Sequence, residues 1–302
     1  MKPFYLSEIT TKDGLVHQGI FFHPSSRRST TMDGKTAKAI LWIHGLTGRF
    51  YGNVEMFEPL VDQCDKNGWG FAAFNNRGHD HVCGIHRINP VTGKSEWAYG
   101  GGGNEVFEEC IFDIHAGVDF LVTQGFTEII VVGSSTGALK VIYQEGTSPH
   151  KNVTGVVLAG ALSDRLGPDV DKKKLPDQIV RMEQLIKEGK GDELQVGFSY
   201  FPMTPKRFIS LFSKDSAEEA TVDYDDAHPK MTAYSNIIKP MLVLFSEKDE
   251  NLDRPVIDIQ KVFDAKTQSK KYKSIVIPGA DHEFSGKEKE VVKMMVDWIA
   301  SI

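Results

Sequence analysis

The 302-residue chain is 40% hydrophobic and 25% charged, with a formal net charge of −6. That is enough apolar material for a large buried core, and the acidic balance argues against a nucleic-acid-binding or anionic-membrane surface. The first residues lack an apolar signal core and no stretch approaches the ~18 apolar residues of a span, so neither secretion nor a stable membrane anchor is expected, and a cytoplasmic location is. Cys64, Cys83 and Cys110 have no CxxC spacing, which fits reduced thiols rather than a disulfide framework or a zinc site.

In chain order, FYLSEIT and LVHQGIFF are split by Lys12-Asp13-Gly14 and read as a hairpin. Residues 26–36 are polar and read as a loop. AKAILWIHG (37–45) is a buried strand, Val54 to Asn67 a helix, and GFAAFNNRGH (70–79) a strand with its loop. Residues 80–103 show no regular period and end in four glycines, so a flexible surface loop is expected there, with the rim of a pocket as the functional alternative. Apolar residues recur at helical steps over 104–123. EIIVVG (128–133), GALKVIYQEG (137–146) and VTGVVLAGA (153–161) then read as strand, helix and strand.

This alternation predicts a mostly parallel sheet covered by helices on both faces. It breaks at about Ser163. LPDQIVRMEQLIKEGK and TPKRFISLF are helix-prone, Asp223-Tyr224-Asp225-Asp226 reads as a solvated turn, and strands resume after Pro240. The division expected is a core of residues 1–162 and 238–302, interrupted by a helical cap over 163–237.

Gly133-Ser134-Ser135-Thr136-Gly137 is a G-x-S-x-G pattern between a predicted strand and a predicted helix. In that setting the middle residue, Ser135, sits on a sharp turn above the sheet, near the positive end of the helix. A serine needs a base, and the base needs an orienting carboxylate. Asp249 follows the strand MLVLF and His282 follows the last strand, giving the order Ser135, Asp249, His282 at one sheet edge. Asp253 is the rival for the carboxylate, with Glu247 and Glu250 as neighbours. Acyl transfer also needs donors for an oxyanion. The backbone N–H groups of Thr136 and of Leu46, in His44-Gly45-Leu46-Thr47-Gly48, are the expected pair, with His44 itself structural. Arg77, His79, His81, His86 and Cys83 cluster in sequence, but their spacing matches no usual ligand motif. No metal is expected, and Arg77 and His79 are read as fixing their loop. Phe50, Tyr51, Trp97, Tyr99, Tyr200 and Phe201 are read evenly as pocket lining or as core edge.

HGLTG at 44–48, NNRGH at 75–79, GSSTG at 133–137 and the Asp249/His282 pair resemble the α/β-hydrolase-fold serine hydrolases over roughly residues 37–302 outside the cap. The first loop is similar to that of small intracellular esterases, including bacterial cinnamoyl-type esterases. Ser134 stands where many of these carry His, and Leu46 where several carry an aromatic. The resemblance implies an eight-stranded, mostly parallel sheet with a lid after the sixth strand. The expected activity is cleavage of a small-molecule carboxylic ester, thioester or lactone through an acyl-enzyme on Ser135, without cofactor. An acyltransferase, a peptidase or lyase, and a non-catalytic ligand-binding protein are the alternatives. The acyl group, the leaving group and the oligomeric state are left open.

Overall fold

The computed structural model describes residues 2–25 and 37–302; the loop expected at 26–36 lies outside them. In chain order the elements are β1 (Tyr5–Thr10), β2 (Val16–Phe22), β3 (Lys38–Ile43), α1 (Val54–Asn67), β4 (Gly70–Phe74), β5 (Cys83–Ile88), β6 (Ser95–Gly100), α2 (Cys110–Thr123), β7 (Glu128–Ser134), α3 (Thr136–Thr147) and β8 (Val153–Ala159). There follow α4 (Leu175–Lys187), α5 (Pro205–Phe212), α6 (Thr232–Ser235), β9 (Met241–Ser246), α7 (Val256–Lys266), β10 (Tyr272–Ile277) and α8 (Glu288–Ala300).

Eight strands form one sheet in the order β1-β2-β4-β3-β7-β8-β9-β10. β2 runs antiparallel to β1 and β4, and the remaining pairs are parallel. The central strands are continuous β-branched and aliphatic runs, as strands covered on both faces require. Alternate side chains serve opposite cores. Ala39, Leu41 and Ile43 pack with Ile114, Val118, Leu139, Ile259 and Phe263 from α2, α3 and α7. Ile40 and Trp42 pack with Phe57, Leu60, Val292 and Met295 from α1 and α8.

After β3 the chain moves to β4 on one side, and later returns to β7 on the other. The order therefore reverses at β3, and the crevice at its carboxyl end is where open α/β sheets hold ligands. The loops after β3, β7, β8, β9 and β10 all leave from that edge.

Between β8 and β9, α4 and α5 form a small apolar cluster of their own from Leu175, Met182, Leu185, Phe208, Leu211 and Phe212, and Leu46 of the core packs against it. Val222, Tyr224, Met231 and Tyr234, later in the same insertion, join the main core instead.

Two expectations are corrected. Residues 80–103 are not a flexible loop: β5 and β6 form an antiparallel hairpin, with Cys83 opposite Gly100. The four glycines are buried because other backbone comes close to them: a Cβ on Gly103 would lie 2.2 Å from the Pro202 carbonyl oxygen, and one on Gly101, at φ 95°, 2.8 Å from that of His81. Their lack of hydrophobic period reflects close approach rather than disorder. Nor is 223–226 simply a solvated turn. Tyr224 is buried and its hydroxyl accepts from the Ser163 N–H at 3.1 Å, while Asp225 pairs with Arg165 at 2.6 Å.

Candidate active site

Ser135 sits between the last residue of β7 and the first of α3, at φ 57° and ψ −131°. Few non-glycine residues occupy this region, so the turn is strained. Its N–H donates to the Ala159 carbonyl at 2.8 Å, and its own carbonyl accepts from the Ala138 N–H at 2.8 Å. The flanking glycines are steric requirements: a Cβ on Gly133 would lie 2.5 Å from the Gly137 carbonyl oxygen, and one on Gly137 2.3 Å from that of Ile43.

The structure brings Ser135, Asp249 and His282 together. The Ser135 hydroxyl oxygen is 2.9 Å from His282 Nε2, and His282 Nδ1 is 2.7 Å from Asp249 Oδ2. With Nδ1–H donating to Asp249, the Ser135 hydroxyl donates to Nε2. The other oxygen of Asp249, a buried residue, accepts from Asn251 N–H at 2.9 Å and from its Nδ2 at 3.2 Å. Asp253 instead pairs with Arg254 at 2.7 Å. Glu250 and Glu247 hold the histidine loop: Glu250 accepts from the His282 N–H at 3.1 Å and Glu247 from the Gly279 N–H at 2.8 Å. Burial disfavours charge on His282, but the hydrogen bond and charge of Asp249, with Glu283 and Glu250, outweigh it and raise the imidazole pKa above its ordinary value.

The loop after β3 runs directly beside the serine, since a Cβ on Gly45 would lie 2.8 Å from Ser135 Cβ. His44 is structural. Its Nδ1–H donates to the Gly45 carbonyl at 2.8 Å and its Nε2 accepts from the Asn76 N–H at 3.1 Å. Burial and the nearby Lys140 push its pKa down to about 3, so it stays neutral. Thr136 is the first residue of α3, where an N–H has no partner within the helix. Among the described residues, neither Leu46 N–H nor Thr136 N–H has a protein acceptor.

Beneath the site lies a buried ionic network that the sequence reading did not identify. Lys140 Nζ donates to Glu105 at 2.7 Å and to Asn76 Oδ1 at 3.1 Å. Glu105 also accepts from Arg207 of α5 at 2.8 Å, and Arg207 pairs with Glu218. Burial opposes ionisation of Glu105, but Lys140 and Arg207 prevail and keep its pKa low. A lysine in the apolar run ALKVI was the available signal. Arg77 bonds Asp113 at 2.9 Å, and Asp113 also faces His17 at 3.2 Å. Burial would raise the Asp113 pKa, but Arg77 and His17 hold it well below the carboxylate range. His79 Nδ1 meets Asp80 at 2.8 Å, His81 stacks on Phe201 and His86 meets Ser95 at 2.7 Å. Among the described residues no group of three or more His, Cys, Asp or Glu is placed to hold a metal ion.

A cavity of about 610 Å³ under α4 and α5 opens onto Ser135 and His282, and a second of about 520 Å³ reaches Ser135 from the side of Arg49 and Asn53. Of the aromatics singled out above, Tyr200 lines the first cavity. Phe201 is buried beside it, and Trp97 and Tyr99 are exposed on the hairpin.

A family model described as "Protein of unknown function (DUF1749)" matches residues 88–302. The chain belongs to this family. No curated protein matches the DUF1749 chain in sequence. Solved structures match it over nearly its full length. The esterase Pf2001 of Pyrococcus furiosus is 18% identical with a TM-score of 0.58, over 99% of this chain and 91% of that one. Est1E of Butyrivibrio proteoclasticus, with ferulic acid bound, is 15% identical with a TM-score of 0.65, over 98% of each chain. A thermostable carboxyl esterase of Bacillus coagulans is 16% identical with a TM-score of 0.64, over 100% of this chain and 99% of that one. The DUF1749 chain has the α/β-hydrolase fold.

No helix among the described residues is long and apolar enough to cross a membrane.

Proposed function

We propose that the protein is a serine hydrolase that cleaves a small-molecule carboxylic ester, thioester or lactone through an acyl-enzyme on Ser135. The observation that carries this reading is the chain of contacts from Ser135 to His282 to Asp249, at 2.9 and 2.7 Å, opening into a cavity. Its similarity in fold to three esterases agrees with it.

In this mechanism the Ser135 oxygen attacks the carbonyl carbon while its proton passes to His282 Nε2. Asp249 holds the imidazole in the required tautomer and stabilises its positive charge. The carbonyl oxygen becomes an oxyanion, which takes hydrogen bonds from the Leu46 and Thr136 N–H groups; each such donor contributes about 2.7–4 kcal/mol. Collapse breaks the bond to the leaving group, which receives the proton from His282. Water, deprotonated by the same nitrogen, then releases the acid and restores the serine. Residues within 163–237 form the cap that roofs the cavity. No step calls for a cofactor or a metal.

The test is Ser135→Ala. The variant should keep the wild-type far-UV spectrum and lose hydrolysis of p-nitrophenyl butyrate and labelling by a fluorophosphonate probe. Full turnover by the purified variant would refute the mechanism.

A further inference from the structure

We propose that the cavity under α4 and α5 takes an ester with a cationic body, an ammonium group on an apolar frame, and that Asp164 is the residue that reads the charge. The proposal rests on the esterase reading above and names the substrate class.

The cavity walls pair aromatic rings with carboxylates. Phe198, Tyr200, Phe208 and Phe212 supply the rings, and Asp164, Asp169, Asp171 and Glu283 the acids. Among the described residues that line it, none is Lys or Arg, and His282 is the one basic side chain. An anionic substrate would meet like charge on several sides, with His282 as the one basic group among the described lining residues. An uncharged one would cover Asp164 without pairing it, at the cost of desolvating a carboxylate. An ammonium group satisfies both surfaces, since ring faces attract cations and a carboxylate forms its strongest hydrogen bonds with charged donors.

Asp164 is the decisive acid because of where it is held. It directly follows Ser163, whose hydroxyl donates to Glu219 at 2.7 Å and whose N–H donates to Tyr224. Asp164 Oδ2 accepts from the hydroxyl of Thr136, the residue after Ser135, at 3.3 Å. Among the described residues, no cationic side chain is hydrogen-bonded to it. The nearby Arg207 commits its N–H groups to Gly102, Ser210, Glu218 and Glu105. Burial raises the Asp164 pKa, and the charges of Arg207 and His282 only partly oppose this. A bound cation would lower it. The other three acids are exposed at the rim, and Asp171 is paired with Lys174 at 3.1 Å.

The experiment compares butyrylcholine with its uncharged isostere 3,3-dimethylbutyl butyrate. Calorimetric binding to the Ser135→Ala chain, which cannot turn either over, should favour butyrylcholine by at least about tenfold. Adding Asp164→Asn should remove most of that margin, and hydrolysis by the wild-type chain should show the same order in kcat/KM. Equal binding, or preference for the neutral ester, overturns the proposal. A margin that survives Asp164→Asn in a folded variant overturns the role of Asp164. The isostere comparison needs no Asp164 variant, so charge preference is read even where Asp164→Asn fails to fold. Failure of wild-type turnover on p-nitrophenyl butyrate sinks the esterase reading alone, because the binding comparison does not depend on turnover.

Discussion

Asp249 Oδ2 lies 2.7 Å from Nδ1 of His282, a residue 33 positions later in the chain. The contact fixes the imidazole tautomer and raises its pKa. A general base must be neutral, so kcat/KM should rise with pH through a limb whose midpoint lies above the ordinary imidazole value of about 6.5. In Asp249→Asn the two largest raising contributions fall away while burial and the weaker pull of Glu283 and Glu250 remain, so that midpoint should move to lower pH while kcat falls by about four orders of magnitude. A pH–rate profile of both proteins decides this, and an unmoved limb in Asp249→Asn would count against the assignment.

Gly45 gives a second test, aimed at the loop rather than at the reacting groups. An added methyl would meet Ser135 Cβ at 2.8 Å, the Ser134 carbonyl oxygen at 3.1 Å and the Ser135 hydroxyl oxygen at 3.2 Å. The hydroxyl can rotate away, but the Cβ and the backbone cannot. Gly45→Ala should therefore lower kcat on p-nitrophenyl butyrate by roughly 100-fold, the scale of a misplaced reacting group. Thermal melting should fall as well, because the Cβ and backbone that the methyl meets cannot move aside. A variant with unchanged kcat would show that the loop yields freely.

Lys140→Met removes one of the two cations that hold Glu105 ionised in the interior. Losing one partner of a buried ion pair costs about 3–5 kcal/mol, because the other charge stays behind. Urea denaturation should report a loss of that order. Because the two residues share a network, the double variant Lys140→Met/Glu105→Gln should cost less than the sum of the single changes. Strict additivity would mean the pair is not energetically coupled.

Much of this was legible in the sequence. The β7–Ser135–α3 turn was visible because glycine spacing, β-branched runs and helix period agree there, and the positions of Asp249 and His282 followed from the strands that precede them. Asp249 was the expected carboxylate with Asp253, in the same short loop, as its rival; Asp249 faces His282 while Asp253 pairs with Arg254. The β5–β6 hairpin was hidden because its glycines answer to backbone neighbours distant in sequence, which no local period records. The network of Glu105, Lys140 and Arg207 was hidden for a related reason. Lys140 stands out in its apolar run, but Glu105 and Arg207 are unremarkable in theirs, and only tertiary packing buries the three together.

The conformation of Ser135 has a consequence for the history of such a chain. Holding a side chain at φ 57° costs of order 1–3 kcal/mol, which glycine would largely avoid. Ser135→Gly should accordingly melt at a higher temperature than the parent while turning over nothing, and scanning calorimetry would show it. Durability and reactivity thus pull in opposite directions at one position. A lineage released from the need for turnover would be free to drift toward the sturdier residue.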